Sequence, residues 1–501
     1  MNSSAWKLLL IVVASVVVVF IRSVKYEFVT YDDYELVAQN EEYLSNPSNV
    51  AGAFTTHAFT SHRAASGYYR PLLIVSYIAD YMVWGLDPMG YHLTNVVMHC
   101  CAAVVLFLLL EQLFKHSFAS LLGALIFALH PVQTESVGWV AGRNDVMLGL
   151  FILLMALLYV LSWQAGGKQR IYRWLSVVAF TAALFTKESA AFYLLLLPVV
   201  DASQRGTPLR DFFSLRYMRS IALFVLCLLG YLAIRASVIG GVIGAEALYG
   251  ATPFIDRLAH VPAVVSEHLK FILIPFGYTV VHPFDRLLWL DQPWALVSWC
   301  IVLFLFAAIW RSWSRKWPAR SGLAWFAIGL LPLVGIFPLA VQILEHRLYV
   351  PMAGVAIAVA AGISTLWQNR SSRKVIVPSA VALLALFAIL SMDRLPVWQN
   401  SETLWSDAIE KAPTAGRSYF NLAGYYYEHR QYGRTIGLMQ SYIGLQPDDP
   451  MGYIKLGQTF EMTGRSDEAA ETQRKLIDCY RRNGDSAKAN DLMRQSGRDA
   501  K

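Results

Sequence analysis

The run WKLLLIVVASVVVVFIRSVKYEFVTYDDY, residues 6–34, sets an apolar helix directly before two adjacent carboxylates, Asp32 and Asp33. Residues 6–23 have the length and composition of a membrane span. Tyr31-Asp32-Asp33-Tyr34 falls at its exit. Carboxylates are costly in lipid, but at a water boundary they serve as a general base or help to hold a cation. An isolated Asp-Asp is ordinarily a solvated turn. Its meaning therefore depends on what else the chain brings to the same side.

The composition is that of an integral membrane protein. Of 501 residues 56% are hydrophobic and 15% charged, which leaves room for many spans. The formal charge of +7 fits basic cytoplasmic loops better than nucleic-acid binding. Five Cys show no pairing pattern, and Cys100-Cys101 sit together inside an apolar run where thiols pack rather than react. Lys7 before an apolar run resembles a signal peptide, but no small-x-small cleavage site follows, so it reads as a retained span.

Eleven spans are expected, at about 6–23, 92–114, 117–130, 146–163, 174–186, 189–201, 219–238, 292–311, 322–341, 350–368 and 374–391. Residues 24–71 are expected as a polar loop, within an outer segment 24–91. Residues 72–84 and 261–275 read as interfacial or re-entrant helices, because each is short or broken by charge. With the N-terminus inside, the loops carrying Lys168/Arg170/Arg173, Arg205/Arg210/Arg216/Arg219, Arg311/Arg315/Lys316/Arg320 and Arg370/Arg373/Lys374 all become cytoplasmic. The Asp pair then faces outward.

Several polar groups share that outer side. His92, Asn95 and His99 lie three and four apart, on one helix face. Such a stripe is as readily a hydrogen-bonded contact within the bundle as a site. His130-Pro131, Glu135, Arg143 and Asp145 lie between two spans, Lys187-Glu188 at the tips of two short ones, and Glu345-His346-Arg347 before another. Together they outline a polar cavity at the outer leaflet. Its chemistry suits transfer from a lipid phosphate: Arg and Lys neutralise a leaving phosphate, and a carboxylate deprotonates an incoming hydroxyl.

From Trp398 onward the composition turns soluble and helical. Leu422/Leu456 and Tyr426/Phe460 are each 34 residues apart, the tetratricopeptide period. Ala487 to Met493 reads as a capping helix. The expected organisation is a polytopic membrane domain, 1–397, and a tetratricopeptide-repeat domain, 398–501, on the outer side.

Tyr31-Asp32-Asp33, Tyr69-Arg70-Pro71-Leu72, Tyr91-His92-Leu93-x-Asn95-x-x-x-His99, Ala128-Leu129-His130-Pro131-Val132-Gln133-Thr134-Glu135, Gly142-Arg143-Asn144-Asp145, Thr186-Lys187-Glu188 and Glu345-His346-Arg347-Leu348-Tyr349-x-Pro351 occur in that order. The set resembles the transmembrane and tetratricopeptide-repeat O-mannosyltransferases and their bacterial relatives. That resemblance implies an all-α GT-C glycosyltransferase using a polyprenyl-phosphate sugar on the luminal or periplasmic face, commonly with inversion. It makes Asp32 or Asp33 the catalytic base, Asp33 slightly preferred. It makes Arg143, Lys187 and Arg347 candidates for the donor phosphate. Arg70, His92, Asn95, His99, His130, Glu135, Asp145, Glu188 and Glu345 would shape the site. Glu135, His130 and Asp145 leave room for a divalent metal, although many lipid-phosphate-dependent relatives need none.

About two repeats, where eukaryotic members carry many, few Cys and no outward Asn-x-Ser/Thr in a long loop favour a bacterial inner membrane over an endoplasmic reticulum. The repeats are expected to recruit a protein or glycan acceptor. Two other classes compete. A transporter or flippase of a lipid-linked glycan needs polar residues through to the cytoplasmic side, where the inner span halves are apolar. A non-catalytic repeat scaffold needs far fewer spans and no clustered outer charges.

Overall fold

The computed structural model describes residues 3–59, 67–164, 166–241, 254–282, 294–314, 318–333 and 343–499. Every regular element among them is helical, as the apolar periodicity requires. The chain folds as two compact units, one of residues 1–278 and 284–399, the other of residues 279–283 and 400–501.

Among the described residues of the first unit seven helices are long and apolar enough to cross a membrane: Trp6–Lys25, Pro88–Phe114, Arg143–Trp163, Leu215–Ile239, Ala295–Trp313, Glu345–Leu366 and Arg370–Trp398. The protein is an integral membrane protein. Three of the eleven expected spans take another form, and a fourth is described only in part. The third is the thirteen-residue helix Ser117–Leu129, buried along most of its length, so it meets protein rather than lipid. The fifth is the end of Gln169–Thr186, whose first turns carry Arg170 and Arg173.

The sixth is not an α-helix at its start. Glu188–Leu195 is a 3-10 helix that runs into the short α-helix Leu196–Val200. The 3-10 rise of about 2.0 Å per residue, against about 1.5 Å, lets a short segment reach further. The ninth begins as Arg320–Leu330, and residues 334–341 of the expected span lie outside the described residues.

Arg320–Leu330 and Tyr349–Leu366 meet backbone to backbone. A Cβ on Gly322 would lie 2.4 Å from Ala358 N, and one on Gly354 would lie 2.5 Å from Phe326 N. Close approach at small residues is how membrane helices gain packing where no hydrophobic effect separates them from lipid.

The outer segment is more ordered than a loop. The Asp pair opens a helical turn that continues as the π-helix Tyr34–Ala38, followed by Glu41–Leu44 and Asn49–Gly52. Residues 60–66 of this segment lie outside the described residues. Pro71 occupies the first turn of Pro71–Trp84, where its missing N–H costs nothing. Residues 261–275 fall largely within Phe254–Leu273, a helix with Pro262 inside it.

The second unit stacks helix pairs. Gly416–Glu428 and Tyr432–Leu445 repeat as Pro450–Met462 and Ser466–Arg482, each start shifted by the same interval that separates Leu422 from Leu456. Ala423, Ile436, Met439, Leu456 and Phe460 form one buried cluster across the pairs. The expected capping helix lies within Ser486–Asp499.

Candidate active site

Successive residues on a helix point about 100° apart, so adjacent carboxylates diverge. Asp33 turns into the protein and is 1% exposed. Its Oδ2 accepts the Val29 N–H at 3.2 Å, and its Oδ1 accepts the Ala141 N–H at 2.8 Å. Burial pushes its carboxyl up to about 7, against the pull of those two N–H groups. Asp33 thereby pins the outer segment to the turn before Arg143–Gln164. Asp32 is half-buried and lies within electrostatic reach of Tyr68.

Tyr68 is the centre of a charged cluster that also includes Arg70, Glu188 and Arg347. The Arg70 guanidinium lies 4.5 Å from the Tyr68 ring centroid. It grips Glu188 through Nε–Oε2 at 3.1 Å and Nη2–Oε1 at 2.8 Å. Burial works against both charges, but each holds the other ionised: Arg70 stays above its ordinary value and Glu188 well below the carboxylate range. Lys187 donates to both oxygens of Asp145 at 2.7 Å. Burial lowers its ammonium, and Asp145 opposes that. Arg347, half-buried, lies within electrostatic reach of Tyr68, Asp145, Tyr31 and Glu188.

A second line runs from Glu135. Its Oε2 accepts the His346 N–H at 2.8 Å, and its Oε1 lies 3.0 Å from His346 Nδ1. His346 Nε2 is 4.0 Å from Asp145 Oδ2, so Glu135, His346, Asp145 and Lys187 form a continuous row. Asp32, Arg70, Asp145, Lys187, Glu188 and Arg347 are thus brought together, with Glu135 joined through His346.

The remaining expected site residues hold helices to one another. Arg143 is fully buried. Its Nη2 lies 2.6 Å from Asp80 Oδ2 and donates to the Tyr91 carbonyl at 2.8 Å, and its Nε donates to Asn95 Oδ1 at 2.8 Å. This corrects its assignment to a donor phosphate, because these partners take up its charge and its fork of N–H groups. Asn95 donates to the Trp139 carbonyl at 2.9 Å. His99 bridges the Tyr349 hydroxyl at 2.7 Å and the Ala128 carbonyl at 3.0 Å.

His92 lies 3.4 Å from the Glu27 carbonyl, and His130 3.0 Å from the Ile272 carbonyl. The 92/95/99 stripe is therefore a bundle contact. Glu345 faces Arg394 at 4.0 Å instead of the cluster. Among the described residues no three His, Cys, Asp or Glu side chains converge to hold a metal ion.

Sequence reasoning missed four residues here. Asp80 reads as a stray charge in an apolar helix, yet it neutralises Arg143. Arg235, buried in a span, donates to the Gly67 carbonyl at 2.9 Å and lies within electrostatic reach of Glu188. A charge inside a span was its available signal. Tyr68 and Trp139 carry no sequence signal beyond their size.

No family model matches the chain. Over most of its length it is similar to curated protein O-mannosyl-transferases. It is 24% identical over 484 residues to TMTC3 of Mus musculus, covering 88% of this chain and 51% of that one. It is 25% identical over 475 residues to TMTC4 of Homo sapiens, covering 82% and 63%. It is 33% identical over 181 residues to tmtc2 of Xenopus laevis, covering 34% and 21%. The chain spans about half the length of the first of these. The relatives that the ordered motifs point to are therefore the ones found. Among solved structures, the crystal structure of ArnT from Cupriavidus metallidurans bound to undecaprenyl phosphate superposes with a TM-score of 0.43 at 14% identity, covering 95% of this chain and 81% of that one.

Proposed function

We propose that the protein is a membrane glycosyltransferase of the GT-C type, moving a sugar from a polyprenyl-phosphate donor to an acceptor hydroxyl of a protein or glycan. The observation that carries this reading is the convergence of a half-buried carboxylate, Asp32, with Arg70 and Arg347 around Tyr68. That set supplies a proton acceptor beside fixed positive charge, which is what such a transfer requires. The similarity to O-mannosyl-transferases supports the same class of reaction.

In this reading Asp32 takes the proton of the acceptor hydroxyl. The acceptor oxygen attacks the anomeric carbon, the bond from that carbon to the phosphate oxygen breaks, and configuration inverts. The departing lipid phosphate meets Arg347, with Lys187 held beside it by Asp145. Asp33 is the anchor of the turn and not the base, because each of its oxygens already accepts a backbone N–H.

The cluster faces the periplasm or lumen. Arg143–Gln164 starts beside the site and ends before Lys168, Arg170 and Arg173. Its 22 residues span about 33 Å, a membrane's thickness. Those cations then lie on the cytoplasmic side. The few Cys favour a bacterial inner membrane. The repeat unit recruits the acceptor, as stacked helix pairs present concave binding surfaces.

The test is a donor screen. Purified protein is mixed with polyprenyl-monophosphate sugars and a cell-envelope extract, and release of free lipid phosphate is followed. Wild type releases it with at least one donor, and Asp32→Asn lowers the rate at least about 10²-fold. No release with any donor, or full activity of a folded Asp32→Asn protein, overturns the reading.

A further inference from the structure

Three aromatic rings stack from the interior towards the site. Trp398, fully buried, lies against Trp139 with centroids 5.7 Å apart and planes at 22°. Trp139, 3% exposed, lies in turn against Tyr31 at 4.8 Å and 32°. His346 flanks Trp139 at 5.6 Å. Of the three stacked rings Tyr31 alone is half-buried instead of buried. It immediately precedes Asp32 and lies within electrostatic reach of Arg347.

We propose that the Tyr31 ring is the platform on which the sugar of the donor, a hexose on a polyprenyl phosphate, is held. This rests on the glycosyltransferase reading above. A hexopyranose presents a face of C–H bonds, and such a face packs on an aromatic ring as other apolar groups do. The platform is preorganised. Two indoles behind Tyr31 oppose tilting of its ring, so little side-chain freedom is lost when a sugar settles on it.

Position matters as much as contact. Tyr31 is adjacent in the chain to the carboxylate that takes the acceptor proton, and it lies within electrostatic reach of Arg347, a guanidinium suited to the phosphate. A sugar on this ring lies in the same neighbourhood as the proposed base and the cation suited to the leaving phosphate. The Tyr hydroxyl adds a polar handle at the edge of the ring. A ring that served only to cover Trp139 would contribute to stability and would not distinguish a glycosylated lipid from a bare one.

That difference is the test. Dissociation constants of several polyprenyl-phosphate hexoses and of sugar-free polyprenyl phosphate are measured for wild type, Tyr31→Phe and Tyr31→Ala in detergent or nanodiscs, with thermal unfolding as a check on folding. Tyr31→Ala weakens the favoured hexose lipid about tenfold, the scale of one aromatic contact, and leaves the sugar-free lipid unchanged. Tyr31→Phe stays within about twofold of wild type, because the ring remains. Equal weakening of both lipids, or of neither, overturns the proposal while leaving the donor reading intact. Failure of wild type to bind any of these lipids overturns the donor reading and this one with it.

Discussion

Arg70 and Glu188, 118 residues apart, face each other in a two-pronged ion pair, Nε–Oε2 at 3.1 Å and Nη2–Oε1 at 2.8 Å. The pair ties the start of Pro71–Trp84 to the start of the 3-10 helix Glu188–Leu195. Its side chains are 12% and 33% exposed, so water screens it only in part. Glu188→Ala leaves the guanidinium poorly compensated and lowers stability by roughly 1–3 kcal/mol, below the full cost of breaking a dry pair. Glu188→Gln keeps an acceptor and loses less. The midpoint of thermal unfolding in detergent measures both, and an unchanged midpoint for Glu188→Ala would show that the pair contributes no stability.

Asp33 makes stability depend on pH. Burial raises its folded value to about 7 from the ordinary 3.8. Between those values the unfolded carboxyl is ionised while the folded one keeps its proton. The unfolded state then binds fewer protons, so stability falls as pH rises through that window and levels off above it. In Asp33→Asn this component of the fall is absent. Its absolute stability is also lower, because an amide nitrogen meets one of the two N–H donors. Unfolding midpoints from about pH 4 to 8 for both proteins check this. Parallel curves would exclude Asp33 as the titrating group.

Arg143 separates a structural cation from a ligand-binding one. Arg143→Lys cannot reproduce the fork that reaches Asp80, Asn95 and the Tyr91 carbonyl, and it leaves buried groups unsatisfied. The expected loss is roughly 3 kcal/mol of stability, with donor affinity of the protein that remains folded unchanged. Lost affinity for polyprenyl phosphate at full stability would return Arg143 to the phosphate site.

The outer constellation was legible because charged residues cluster at helix ends, where a membrane protein tolerates them only around water or partners. Which of Asp32 and Asp33 turns inward was not, because it depends on the Ala141 N–H, 108 residues away. Asp80 was hidden for a similar reason: its partner lies on another helix. The 3-10 start of Glu188–Leu195 escaped notice because its sequence, ESAAFYLL, is largely apolar and too short to tell a period of 3.0 from 3.6. The repeat unit was read correctly in outline, because Leu422 and Leu456, like Tyr426 and Phe460, are buried at equivalent places.

That equivalence also exposes one mismatch between the repeats. The turn inside the second pair uses Gly464 at φ 70°, and the turn inside the first uses Arg430 at φ 57°, one repeat length earlier. A left-handed backbone costs a non-glycine residue about 1 kcal/mol, since its Cβ approaches the following carbonyl. Arg430 is exposed, and its N–H still closes the turn onto the Tyr427 carbonyl at 3.0 Å. Arg430→Gly therefore relieves the strain without removing a buried contact. It raises the stability of the repeat unit by roughly 0.5–1 kcal/mol, reduced somewhat by the greater freedom of glycine in the unfolded chain. The reverse change, Gly464→Arg, costs a comparable amount. Chemical denaturation of the full chain, followed by a probe in the repeat unit, measures both. Destabilisation by Arg430→Gly would mean that the arginine side chain contributes more than its backbone strain costs.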